Sequence, residues 1–396
     1  MRSTIAFAVL LLSSATTLPA APSAAPAAPA ASPAEVHNAD RPARGAWEFS
    51  PRQIWSVDQA GGQPLQRPAE LRVLADGTSV FHDFDAAVSH VFAPDGKHAA
   101  AFAARGDQPG QVSRYLNCFV AGDEIVVGTP SDLHFFARDG AFRGSQPNNL
   151  FARFPLVFLG GRTALLAPGS LAGLAGGVAR IVRVDFASGE ESAFAELAVA
   201  GPGGGAGGKD GAGGAAGGAP RGPMIMVRGL TPAVEAAYDR DLGRVYYGCT
   251  TDYAIRAAKA DGTSLGAFRL DRPRQPVDEA AKREHCADVG LPAEHVAAIV
   301  AALPDEFASF RQMWAGGGLV YVLPPAGLAR EVAAQPIDIF AAGGRYLYRA
   351  ELRLPGDLRF SPDGVALVGS DLYALCADAQ GRWSLRRFAV KVPEAK

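Results

Sequence analysis

Short apolar runs, each broken by a polar corner, recur along most of the chain. Leu133–Gly144 (LHFFARDGAFRG) shows the unit: an apolar strand, the pair Asp139-Gly140, then a second strand. Versions return at His90–Phe102, Ile255–Phe268 and Ile337–Leu347. Asp-Gly between two β-prone runs predicts a hairpin with a type I′ turn, which needs φ > 0 at both central residues. Turn glycines of this kind stand at Gly96, Gly140, Gly189, Gly262, Gly344 and Gly381. Two of the gaps are long, and each contains an insertion. Residues 201–223 are a glycine tract expected to be a flexible loop. Residues 275–303 carry helical spacing (Val277, Ala280, Ala281, then Val296, Ile299, Val300) and predict one or two short helices broken at Gly290-Leu291-Pro292. With both removed, each unit is roughly 45 residues, the size of a four-stranded propeller blade.

The strands support closure into a ring. In the second unit they read as Tyr115–Val120, Glu124–Gly128, Asp132–Ala137 and Ala141–Gly144. In the last they read as Leu358–Ser361, Val365–Gly369, Leu372–Ala377 and Trp383–Val390. Several are apolar on both faces, as in Ile125-Val126-Val127 and Leu319-Val320-Tyr321-Val322. A sheet wetted on one side would alternate instead. An open array would leave an apolar end face bare. The expected fold is therefore all-β: a six-bladed β-propeller of four-stranded blades over residues 46–393, with a small helical insertion between blades four and five. Trp47–Val57, ahead of the first full unit, is expected to join the last blade and tie the ends together. The aromatics Phe102, Phe119, Phe135, Phe136, Phe154, Phe158, Trp314 and Tyr321 are expected between blades.

The N-terminus changes the address. Arg2 followed by the apolar run Ile5–Leu12 and small residues reads as a secretory signal over residues 1–21, the alternative being an uncleaved anchor. Residues 22–45, mostly Ala, Pro and Ser, read as a disordered linker. No other apolar run is long enough to span a bilayer. The mature chain is thus expected to be exported, periplasmic or extracellular, with no stable membrane span. The 396 residues carry a net charge of −2, from 38 basic and 40 acidic side chains, so no nucleic-acid partner is implied. Of the four cysteines, Cys118, Cys249, Cys286 and Cys376, only Cys249 and Cys286 lie near enough in this layout to pair. The alternative is four buried thiols. The absence of CxxC supports neither a zinc site nor a dithiol.

The chain resembles the six-bladed propellers of the TolB-like and NHL-like group, especially exported bacterial members, over roughly residues 47–392. The repeated unit carries the likeness, with Gly106-Asp107-Gln108-Pro109-Gly110-Gln111, the helical insertion followed by Pro304-Asp305-Glu306-Phe307, and Phe360-Ser361-Pro362-Asp363-Gly364. It departs from the group at Asp107, at Gln111 and in the third unit, where Ser188-Gly189 replaces Asp-Gly. The resemblance implies a fold, since propellers host unrelated sites.

Local motifs yield few candidates. Gly203–Asp210 mimics a phosphate loop but lacks the Ser/Thr and the following helix. Gly262-Thr263-Ser264-Leu265-Gly266 spells G-x-S-x-G, yet strands flank it where a nucleophile elbow needs a helix. His285, Cys286 and His295 lack metal-ligand spacing. Asp239-Arg240-Asp241 reads as a solvated corner. Phe81–Asp85 (FHDFD) is richer: on a strand, Asp83 and Asp85 would share a face about 7 Å apart and could hold a cation. No catalytic or cofactor-binding residue is assigned. The leading expectation is a non-catalytic binding or scaffolding module of the cell envelope, a monomer that binds a protein, peptide or glycan at a channel mouth. It needs no cofactor. The alternative is a lactonase- or lyase-like hydrolase with a divalent cation such as calcium in the channel, Asp83 and Asp85 being the first candidate ligands.

Overall fold

Six β-sheets, each starting from its innermost strand, follow one another along the chain in a computed structural model that describes residues 35–169, 177–199, 227–288 and 293–395. Blade I is Pro68–Val73, Ser79–Asp83, Val88–Phe92 and His98–Phe102. Blade II is Asn117–Ala121, Glu124–Gly128, Asp132–Ala137 and Phe142–Pro147. Blade III is Arg153–Gly160, Thr163–Pro168, Val178–Asp185 and Glu191–Ala198. Blade IV is Val234–Asp239, Arg244–Cys249, Ala254–Lys259 and Ser264–Asp271. Blade V is Gln312–Gly316, Leu319–Leu323, Ala334–Ala341 and Tyr346–Arg353. Blade VI takes Arg359–Val368, Asp371–Ala377 and Trp383–Ala389, and borrows Arg52–Val57 as its outermost strand, with Arg386 opposite Ser56. The expected six-bladed ring is what the chain forms.

The core explains the closure. Six apolar clusters each join two neighbouring blades, and the series runs all the way round: Phe102 with Phe136 between I and II, Phe119 with Phe158 between II and III, Leu347 with Phe360 between V and VI. Tyr373 of blade VI meets Phe92 of blade I, so neither end of the array is left bare.

The recurrent corner has a different geometry from the type I′ turn expected. At Gly96 the Ala93 N–H bonds Lys97 O and the Gly96 N–H bonds Ala93 O. The same pattern repeats at Gly140, Gly262, Gly344 and Gly381. Only the glycine has positive φ, from 74° to 92° at these positions. This is a three-residue loop, a type I turn closed by a left-handed glycine. At three of these five corners Asp precedes the glycine, and its carboxylate accepts the N–H two residues on, as Asp95 does from Lys97, Asp139 from Ala141 and Asp261 from Thr263. The glycines also pack. A Cβ would lie 3.0 Å from Trp55 at Gly96, 3.1 Å from Phe102 at Gly140 and 2.6 Å from Phe268 at Gly344, each an aromatic of the preceding blade's outermost strand.

Several expectations shift in detail. The linker expected through residue 45 gives way to structure at Glu35. Glu35–Ala39 adds in parallel to blade IV, with Glu35 opposite Ala267, and Ala46–Trp47 adds to blade V. The N-terminal segment therefore stitches the outer edges of three consecutive blades rather than blade VI alone. In the last blade the two strands expected at Leu358–Ser361 and Val365–Gly369 are one strand with a bulge between Phe360 and Val365. The fourth place is what Arg52–Val57 fills. All four cysteines are unpaired and buried, so Cys249 and Cys286 form no disulfide. Asp239 is not a solvated corner: it is fully buried, accepting the N–H groups of Asp241 and Leu242 and, from blade V, Gly318. The helical insertion is α1 (Glu279–Asp288) and α2 (Ala293–Ala302). The signal and most of the linker, the glycine tract and its phosphate-loop mimic, and the break at Gly290-Leu291-Pro292 lie outside the described residues.

Candidate functional site

The six innermost strands run the same way along the channel, so their N-terminal ends gather at one mouth. There the described residues place a charged cluster that no single blade owns. Arg228 precedes the inner strand of blade IV, and Glu235 is that strand's second residue. Arg311 directly precedes the inner strand of blade V, and Asp363 lies in the bulge of blade VI. Arg228 Nη1 donates to Asp363 Oδ1 at 2.8 Å, and Arg311 Nη2 donates to the same oxygen at 2.9 Å. Blades IV and VI are not neighbours, so their contact spans the mouth. From blade I, Glu70 and Arg72 complete the set, with Arg72 Nη2 on Glu70 Oε2 at 3.1 Å.

Local structure aims these groups. Arg228 sits in a tight turn: Thr231 Oγ1 accepts the Val227 N–H, and Gly229 O accepts the Ala308 N–H. Beneath it Val227 and Leu230 pack on Val277, Leu303, Ala281 and Ile299, so the helical insertion is the platform that holds this arginine. Asp363 reaches the channel because the bulge turns it out of the pleat, and Glu70 does so at a second bulge, between Ala69 and Arg72, with φ of 60°. Inner-strand bulges that re-aim a side chain, and a non-glycine residue at positive φ, are features that cluster at functional sites.

The electrostatics are uneven. Burial pushes the Asp363 carboxyl up, but the two guanidiniums outweigh it and hold it well below the ordinary carboxylate range. Arg228 is held firmly charged, chiefly by Asp363. Glu235 differs. It has no hydrogen bond or ion pair among the described residues, and desolvation raises its carboxyl to about 7 against the pull of Arg228, with Asp363 adding to the rise. Arg228 remains 34% and Asp363 26% exposed, while Arg311 is 7% exposed. Among the described residues the buried Arg311 Nε has no partner. The mouth therefore offers the partly exposed guanidinium of Arg228 beside a carboxyl that exchanges a proton near neutrality.

The candidates from the sequence lie elsewhere. The strand ends at Asp83, so Asp83 and Asp85 do not share a strand face. The buried Asp83 carboxylate accepts the backbone N–H groups of Gln66, Arg67, Asp85 and Ala86, and Asp85 pairs with Arg67 at 2.8 Å. Nearby, His82 meets Ser89 at 3.1 Å and stacks on Tyr115 at 3.7 Å, and His90 meets His98 at 3.2 Å. His285 binds Leu328 O through Nδ1 at 2.9 Å. Ser264 begins a strand after a hairpin corner, with no helix behind it. Among the described residues no group of three or more His, Cys, Asp and Glu gathers as a metal-holding set. The mouth residues were out of reach of local reading, because they arrive from four blades. The single textual hint was Asp363, inside the Phe360–Gly364 motif.

Comparison with known proteins bears on the scaffold. No family model and no curated protein matches the chain. Among solved structures, it is similar to a DUF4221 family member from Bacteroides vulgatus, with 9% identity, a TM-score of 0.51, and coverage of 88% of this chain and 99% of that one. A Bacteroides fragilis protein whose export is inferred gives 9% identity and a TM-score of 0.50, over 91% and 100%. A gluconolactonase of Xanthomonas campestris gives 12% identity and a TM-score of 0.42, over 86% and 95%. Likeness at these identities speaks for the fold alone. Among the described residues, no helix is long and apolar enough to cross a membrane.

Proposed function

We propose that this propeller is an exported binding module of the bacterial cell envelope, of the TolB-like and NHL-like kind, that holds its ligand at the charged mouth of the channel. The carrying observation is the cross-channel cluster: two guanidiniums converge on one carboxylate oxygen, while among the described residues the Glu235 carboxyl and Arg311 Nε have no hydrogen-bond partner. The Arg2 to Leu12 signal pattern supports export, and the six inter-blade clusters support a monomer. The test is a thermal-shift and equilibrium-dialysis screen of small polar metabolites, short peptides and glycans on the mature chain. A hit that loses affinity in Arg228→Ala supports the reading, and hits indifferent to every mouth substitution refute it.

The catalytic alternative places a divalent cation such as calcium at the acids. Asp83 already spends its oxygens on four backbone N–H groups, and guanidiniums occupy Asp363, so a cation would have to displace protein partners. A calcium- or zinc-dependent rise in melting temperature, lost in Asp83→Asn or Asp363→Asn, would favour it over the binding reading.

A further inference from the structure

The ligand class follows from which donors and acceptors the cluster leaves open, and this step rests on the binding function proposed above. Arg72 is engaged at every guanidinium nitrogen: Nε donates to Cys118 O, Nη1 to Leu71 O and Nη2 to Glu70. Arg228 is not. Among the described residues only Nη1 is engaged, and a third of the side chain remains exposed, so the Nε–Nη2 edge is a two-donor fork left open by them. A guanidinium fork matches the two oxygens of a carboxylate in spacing and in plane. Around it, Arg228 and Arg311 face the single fixed charge of Asp363, which leaves one positive charge over whenever Glu235 is neutral. The charged groups within electrostatic reach of Glu235 are Arg228, Asp363, Arg311 and Arg72, and Glu70 reaches Arg228 from blade I.

We propose that the mouth seats a small carboxylic acid, its carboxylate on the open fork of Arg228 and a hydrogen bond donated to it by the Glu235 carboxyl. The anion supplies the missing negative charge, so Glu235 no longer needs to ionise. Binding therefore takes up a proton. Because Glu235 titrates near 7 in the free protein, the competent fraction falls about tenfold between about pH 6 and about pH 8, and apparent affinity falls with it.

The experiment uses the mature chain and a probe panel of acetate, lactate, succinate and glutarate, each matched to its uncharged amide, with propylamine and putrescine as cations. Calorimetry in two buffers of different ionisation enthalpy reads both affinity and protons exchanged. Expected are binding of at least one carboxylate but not its amide, net proton uptake near neutrality, and affinity about tenfold weaker at about pH 8 than at about pH 6. Arg228→Ala abolishes binding. Arg228→Lys keeps the charge without the fork and weakens it. Glu235→Gln binds with the pH dependence flattened, a readout that misfolding would not produce. Binding of amines with proton release, or of neutral ligands at the mouth, overturns this inference while leaving the binding module intact. Binding of none of these probes overturns this inference, and failure of the wider metabolite, peptide and glycan screen as well overturns both.

Discussion

Gly344→Ala is the sharpest test of how the ring holds together. The glycine has φ of 88°, so any side chain there incurs the left-handed cost of about 1–2 kcal/mol. The added Cβ would also lie 2.6 Å from Phe268 Cβ, where real Cβ atoms do not sit. Phe268 cannot retreat, since it is buried and its ring packs 4.9 Å from that of Phe340. Overpacking of this kind adds about 1–3 kcal/mol, for a total of about 2–5 kcal/mol. Gly189→Ala is the internal control: φ is 76°, nothing lies within 4 Å, and the backbone cost alone of about 1–2 kcal/mol applies. Between them the blade contacts grade by distance, 3.0 Å at Gly96, 3.1 Å at Gly140 and 3.4 Å at Gly262. Urea-unfolding midpoints at constant slope should rank Gly344 as most damaged, then Gly96 and Gly140, then Gly262, with Gly189 least. Equal losses across the five alanine variants would show that the corners only turn the chain and do not key each blade into the one before it.

Other outcomes follow from buried polar groups. Burial holds His82 and His90 neutral down to about 4, whereas the unfolded chain protonates them from 6.5. Their stabilisation is full above the unfolded value and is lost as pH falls towards 4, by at most about 3 kcal/mol each. His82→Gln should flatten the decline of the urea midpoint across that window, and an unchanged slope would refute the assignment. The buried Asp338 carboxylate accepts from Arg272 at 2.6 and 3.0 Å, Tyr253 at 2.6 Å and Tyr346 at 2.5 Å, so Arg272→Met should cost about 3–5 kcal/mol in the same assay. The four buried thiols should resist a thiol reagent in the native protein and all react on unfolding, with no reductant needed. Two reactive thiols in the unfolded, unreduced chain would mean that a pair is oxidised after all.

The periodic part of this architecture was legible without coordinates. Apolar runs on both strand faces, turn glycines whose spacing is regular once the two insertions are set aside, and a spare N-terminal strand are local patterns, and a blade repeats them because each unit solves the same packing problem. What local pattern could not carry was conformational and angular. The choice of turn depends on two φ angles that Asp-Gly satisfies in more than one way. The extra strand at Glu35–Ala39 looked like linker because its partner edge lies more than two hundred residues away. Asp83 was readable as an exposed acid because its backbone partners, Gln66 and Arg67, come from an ordinary-looking loop. The mouth was invisible for a stronger reason. Arg228, Arg311, Asp363 and Glu70 stand on four blades and meet only because ring closure brings the beginnings of inner strands to one axis, where two bulges and a helical platform then turn their side chains inward.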